Sequence, residues 1–331
     1  MNRILTFAAA AGTAALMSLT PISTAHAQKT VTLKFSNVTS QSGKDAGIKF
    51  KEIAEKESNG TLKIELYPDN QLGDDRSVVE GTIFGDIDIV VSSTSPLATM
   101  FPDFYMFDAP FLFLNTEQAY KALDGEVGQK VLDGMAANSL KGLGWWENGF
   151  RNLTNSKVAA KLPQDIKAMK IRTMENEVHL AAWKAFGANP TPMSFMEVFT
   201  ALQQGTIDGQ ENPLGIIDGN KFQEVQKYLS LTQHVYTPYI LCMNDAKFKS
   251  LTDEQKAAIL KASAETVDYQ RQRSKELENE IIQKVAKEGM EVVELSTDDK
   301  SKWRDLIIEA KIYDLVKSKM KNPAYLDEMM K

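Results

Sequence analysis

Val31-Thr-Leu-Lys-Phe35, Thr61-Leu-Lys-Ile-Glu-Leu-Tyr67 and Ile87-Asp-Ile-Val-Val91 are three short segments of strand character. The first two alternate apolar and polar side chains, which sets one face on a core, and the third is a buried run. Between them, Ala46, Phe50, Ile53 and Ala54 fall on one face of a helix that Asn59-Gly60 ends. A second helix is predicted from Asp74 to about Phe84, with two acids in its first turn. Strand–helix–strand–helix–strand order predicts an α/β layer on a mostly parallel sheet.

Outward from there, residues 96–115 carry Pro96, Pro102, Pro110 and repeated phenylalanines, and read as an irregular, packed connection. Helices are expected over 116–123 and 126–138, before Gly142-Leu-Gly-Trp-Trp146. A second cycle starts near 150, with strands at Phe150–Leu153, Met169–Thr173 and Ile207–Gln210 and helices over 176–186, 196–204 and 213–220. Two such units in series suggest two lobes, with Tyr228–Val235 and Tyr239–Met243 as strands that cross between them. Thr252-Asp-Glu-Gln255 is a capping box, and the helix it opens runs to Gly289. Leu260, Ala264, Val267, Leu277, Ile281 and Val285 give it an apolar stripe. A helix of that length spans more than one domain and reads as a strut. A last helix covers about 298–320.

The 331 residues, with formal charge −6, suit two domains of ordinary globular composition. The acidic balance argues against nucleic acid. A single cysteine, Cys242, excludes an internal disulfide or a cysteine-based zinc site, and three histidines leave little for a metal. Residues 1–27 read as a secretory signal peptide: Arg3, an apolar stretch from Ile4 to Leu19, then Ala25-His26-Ala27. A membrane anchor is the other reading, but Pro21 and Ser23-Thr24 cut the stretch short. Cleavage leaves 304 residues and shifts the charge to −7. With no further apolar run of about 18 residues, the mature chain is expected to be exported and not membrane-embedded.

Gly-x-Ser-x-Gly, Gly-x-x-x-x-Gly-Lys and Gly-x-Gly-x-x-Gly are absent, and His179 and His234 have no acid at triad-like spacing. No catalytic residue, cofactor or metal is indicated. What remains is polar and cationic chemistry at strand ends. Arg172 follows an alternating strand and precedes a helix start, the position where open α/β sheets bind ligands. It could grip a carboxylate through two hydrogen bonds or form a salt bridge to Glu175. Arg151 sits at the lobe boundary, where a cleft residue and a surface arginine look alike. Asn212 fits an N-cap ahead of Pro213, which also puts its amide at a strand mouth. Trp145 and Trp146 could wall a ligand or fill a core.

Glu147-Asn-Gly-Phe-Arg-Asn-Leu-Thr-Asn-Ser156, Lys170-Ile-Arg-Thr-Met174, Gly187-Ala-Asn-Pro-Thr-Pro192 and Ala201-Leu-Gln-Gln-Gly-Thr-Ile-Asp-Gly-Gln-Glu-Asn-Pro213 together resemble the solute-binding proteins of TRAP (tripartite ATP-independent periplasmic) transporters, nearest their dicarboxylate-binding branch. Gln71-Leu-Gly73 through Glu80-Gly81, Phe111-Leu-Phe113 and Lys227-Tyr-Leu229 fit as well. The resemblance covers essentially the whole chain after residue 27. It implies a non-enzymatic, two-lobed periplasmic binding protein with a domain-spanning helix, lobe I formed by 28–149 and 238–277 and lobe II by 150–237 and 278–331. It also implies a monomer that delivers a small organic anion to two membrane subunits. By motif, Arg172 is the main anion grip, Arg151 a second cationic contact and Asn212 a polar contact from the far lobe. Glu80, Asn37 and Ser40 would line the cleft from the first lobe, and Trp146 and Glu147 its hinge side. The expected ligand is a C4-dicarboxylate or related hydroxy acid, with a sulfonate such as isethionate as the alternative. A periplasmic lyase, or a receptor feeding a sensor, are the rival functions.

Overall fold

The computed structural model describes residues 30–331, so the expected signal peptide lies outside the described residues. Strand β1 (Val31–Ser36) lies between β2 (Leu62–Tyr67) and β3 (Ile89–Ser93) and runs parallel to both. Helices α1 (Gln41–Glu57) and α2 (Asp75–Phe84) make the crossovers. The Ser40 hydroxyl accepts from the Gly43 amide at 3.2 Å to cap α1, which buries Ala46, Phe50, Ile53 and Ala54 as their spacing requires. The 95–115 connection is built of 3₁₀ turns, and Phe104 and Phe107 pack edge-on against Trp145. Helices α3 (Thr116–Leu123) and α4 (Glu126–Gly134) follow.

The second unit opens with β4 (Leu140–Asn155) and continues through β5 (Lys170–Thr173), α5 (Glu177–Ala185), β6 (Asn189–Pro192), α6 (Val198–Gln203), β7 (Gly209–Pro213), α7 (Leu214–Gly219), β8 (Tyr228–Ser230) and β9 (Tyr236–Asn244). A strand was expected only over Phe150–Leu153, where the single 16-residue β4 stands. Residues 140–150 of β4 pair antiparallel with β9 in the first sheet, and residues 151–155 pair antiparallel with β7 in the second. One strand therefore belongs to both lobes. Its register shifts between Glu147 and Gly149, a bulge that turns it from one sheet to the other. Gly149 has φ 115°, and a Cβ there would sit 2.9 Å from Glu147 Oε1.

The strand order is β2-β1-β3-β9-β4-β7-β5-β6, with β8 added beside the end of β4. The parallel character holds within β2-β1-β3 and β7-β5-β6. It fails at β9, which returns from the second unit and enters the first sheet antiparallel to β3. Pro190 and Pro192 are tolerated because β6 is an edge strand.

The chain then continues through α8 (Asp245–Ser250), α9 (Asp253–Lys287), β10 (Glu291–Val293), α10 (Thr297–Glu309), α11 (Ile312–Lys319) and α12 (Ala324–Met329). Helix α9 has 35 residues and opens on the expected Thr252–Gln255 capping box. Its buried face differs from the predicted stripe. Ala258, Ile259, Ala262, Ser263 and Thr266 face inward, whereas Leu260 and Ala264 face solvent. The small residues let α9 lie close over α1 and β4: a Cβ on Gly144 would meet Val267 at 2.8 Å. Farther along, Ile281 and Val285 are buried as expected. The single helix expected over 298–320 is two, split where Lys311 adopts φ 53° with no Gly or Pro to signal it. No helix among the described residues is long and apolar enough to cross a membrane.

Because Ile259 is fully buried and Leu260 is 45% exposed, Ile259→Ala is expected to cost roughly 2–4 kcal/mol in urea unfolding and Leu260→Ala about 0.5 kcal/mol or less. Equal costs would contradict this placement of α9.

Candidate functional site

A pocket lies where the two sheets meet. The first lobe supplies Thr39, Asn70, Asp75 and Ser93, the crossing β4 Asn148 and Arg151, and the second lobe Arg172, Phe195 and Asn212. The lobes touch across it. The Ser194 hydroxyl donates to Asp74 Oδ2 at 2.8 Å, and the Asn220 amide donates to Thr39 Oγ1 at 2.9 Å.

Arg172 reaches the pocket because β5 alternates: Ile171 points into the core and the next side chain points to the cleft. It is 2% exposed. Its Nε and Nη2 both donate to the carbonyl of Met193, at 3.1 and 2.7 Å. Nη1 is buried and has no partner. The salt bridge to Glu175 envisaged from spacing does not form, and no carboxylate is ion-paired with Arg172 among the described residues. Burial, opposed by Glu211 and reinforced by Arg151, lowers its pKa to about 10, which leaves it charged at neutral pH. A desolvated guanidinium with one face unspent is costly on its own and suited to an anion.

Arg151 lines the same pocket but is already compensated. Its Nε and Nη2 grip both Glu211 carboxylate oxygens at 2.6 and 2.8 Å, and Nη2 also reaches Asn212 Oδ1 at 3.0 Å. Glu211 faces Leu153 across the β4–β7 ladder, so the pair is set by strand register. Gly209 permits that close ladder, since a Cβ there would lie 2.3 Å from the Thr154 carbonyl oxygen. Burial works to raise the Glu211 pKa, but Arg151 and His234 hold it well below the usual carboxylate range. Burial keeps the His234 pKa low, so the neutral ring donates from Nε2 to Glu211 at 3.0 Å and accepts at Nδ1 from Thr232 at 2.8 Å.

The sequence reading missed both buried histidine–carboxylate contacts, because the partners are distant in the chain. His179 Nε2 lies 3.0 Å from Asp108, which also accepts from Ser95 and from Asn176 at 2.7 Å. Asn212 is not a helix cap. It lies in β7, and Pro213 occupies the cap position of α7 without a side-chain bond.

The other expected cleft residues divide. Glu80 is exposed on α2 and lines neither this pocket nor the larger one beside it. The α2 acid that enters the pocket is Asp75, five residues earlier and so about 140° around the helix. Its Oδ1 accepts from Ser92 Oγ at 2.7 Å and the Ser93 amide at 2.8 Å. The only prior signal was the Asp74-Asp75 pair, read as a helix start. Asn37 is consumed locally: its amide donates to the Gly43 carbonyl and accepts from the Val38 amide, so it braces the β1–α1 turn. Trp146 is fully buried in the first core beside Phe35, although its indole N–H has no partner. Ser40 and Glu147 line a neighbouring cavity between α1, α3, α7 and α9, which shares Asn148 with the first pocket.

Glu147 lies at the bulge of β4, with both its amide and carbonyl bonded to Gln270 of α9. Burial raises its pKa to about 6, against hydrogen bonds from Tyr120 and Tyr236, the latter at 2.8 Å.

The sequence matches bacterial extracellular solute-binding protein family 7 (DctP) over residues 35–314. It is 40% identical over 263 residues to the 2,3-diketo-L-gulonate-binding periplasmic protein YiaO of Escherichia coli, covering 79% of this chain and 80% of that one. It is 32% identical over 282 residues to the C4-dicarboxylate-binding periplasmic protein DctP of Rhodobacter capsulatus, covering 84% of each. The crystal structure of the sugar acid binding protein DctPAm from Advenella mimigardefordensis, in complex with galactonate, superposes with a TM-score of 0.87 at 37% identity, covering 91% of this chain and 97% of that one. This chain belongs to the DctP family of TRAP solute-binding proteins and has their two-lobed α/β architecture.

A raised folded-state pKa means that Glu147 binds its proton more tightly folded than unfolded. Its contribution is fully present below the unfolded value of about 4.3 and is lost as pH rises to about 6. Glu147→Gln is therefore expected to gain about 2 kcal/mol relative to the parent between pH 4 and pH 7 in urea unfolding. A difference that does not change with pH would contradict the assignment.

Proposed function

We propose that this protein is the extracytoplasmic receptor of a TRAP uptake system and captures a small organic acid anion, with Arg172 gripping the carboxylate. The observation that carries the reading is the buried, unpartnered Nη1 of Arg172 in a pocket between two lobes. Arg151 and Asn212 complete the polar wall, with Arg151 held in place by Glu211. The relatives support a carboxylate as the recognised group: 2,3-diketo-L-gulonate, C4-dicarboxylates and galactonate all carry one. A sulfonate would also satisfy a guanidinium, but the relatives named above favour a carboxylate.

In this reading, lobe I comprises 28–149 and 238–277 and lobe II comprises 150–237 and 278–331, with β4, β9 and α9 joining them. The chain is a periplasmic monomer that hands its ligand to two membrane subunits. The receptor leaves its ligand unchanged. Asp75 is the carboxylate that lines the pocket, with Oδ1 held by two donors of β3, and Glu211 behind the wall is locked to Arg151, which favours binding over proton transfer.

Arg172→Ala is expected to weaken binding of a carboxylate ligand by about 3–5 kcal/mol, more than a hundredfold, in titration calorimetry. Arg172→Lys keeps the charge but not the planar fork and should fall between. A loss below tenfold for the alanine variant would contradict this role, and conversion of the ligand on prolonged incubation would favour an enzyme.

A further inference from the structure

Arg172 accounts for one end of a bound acid, and the rest of the pocket has a different chemistry. Arg151, the other cation in the wall, has its charge spent on Glu211. No lysine or histidine lines the pocket, so Arg172 is the one cation there without a carboxylate partner among the described residues. Two of the residues that line this space also carry acceptors without a donor among the described residues. Asn148 Oδ1 is buried without a partner, while its amide nitrogen donates to Thr237 Oγ1 at 3.2 Å. Asp75 receives its two hydrogen bonds on Oδ1, and among the described residues none reaches Oδ2. Asn148 Oδ1 is buried and Asp75 is half-buried at the pocket wall; acceptors so placed call for donors, and an ionised carboxylate has none to give.

We infer that the ligand is a polyhydroxylated monocarboxylic acid, and that Asp75 is the residue that excludes dicarboxylates. This rests on the receptor reading above and extends it to the ligand's far end. Hydroxyl groups donate to Asp75 and Asn148 while the single carboxylate meets Arg172. A second carboxylate would bring like charge toward Asp75 with no free cation to offset it, and would leave both acceptors unmatched.

The test is titration calorimetry on the mature protein with two matched pairs of acids, each differing mainly in the second carboxylate: D-gluconate against D-glucarate, and 2,3,4-trihydroxybutanoate against tartrate. The monocarboxylate of each pair that binds should be at least tenfold tighter. Asp75→Asn, checked for folding by thermal unfolding, should bring that ratio toward one by weakening the monocarboxylate and strengthening the dicarboxylate. Glucarate or tartrate binding as tightly as its partner overturns the inference, as does an unchanged ratio in Asp75→Asn. The parent ratios decide the matter alone if that variant does not fold. Failure of the underlying reading looks different: none of the four acids binds, or Arg172→Ala leaves gluconate binding intact.

Discussion

A guanidinium sealed from water with one edge unspent is the constraint around which the rest of the molecule is arranged. Arg172 gives two of its donors to a single carbonyl, that of Met193, and its remaining Nη1 has no partner. Leaving a charged donor in that condition costs several kcal/mol, and a structural arginine would avoid it by pairing with an acid. Arg151 shows the contrast within the same pocket: it is equally buried, but Glu211 occupies its fork on two sides. On the proposed reading, one arginine builds the wall and the other meets the ligand.

The fold holds that arrangement in place by sharing backbone between lobes. Strand β4 contributes to both sheets, the Glu147–Gly149 bulge turns it between them, and α9 is bonded to that bulge through Gln270. Bonds such as Ser194–Asp74 and Asn220–Thr39 link the two sides of the cleft. In the proposed reading, a ligand touching Arg172 from one lobe and the Asp75 wall from the other adds contacts made only when the lobes meet. On that proposal, the difference in contacts would let a small anion favour the closed arrangement.

Much of this was legible in the sequence where local rules dominate. The alternation in 31–35 and 61–67 and the capping box at 252–255 gave the first layer and the long helix. Arg172 could be placed at a strand end from spacing alone. Long-range pairing was not legible. Nothing local shows that β9 returns antiparallel beside β3, that 140–155 is one strand, or that Asp108 and Glu211 meet His179 and His234. The burial face of α9 was misread because Ala and Ser, not Leu, mark a close helix contact. Glu80 was named and Asp75 was not, because a motif fixes neighbourhood along the chain, whereas helical rotation decides which acid faces the cleft.

The most direct measurement is a crystal structure of the protein with a small hydroxy acid bound. A carboxylate oxygen should lie within hydrogen-bonding distance, about 3 Å, of Arg172 Nη1, with Arg151 still paired to Glu211. An acid bound elsewhere, or an Arg172 side chain turned onto one of the protein's own carboxylates, would contradict the account.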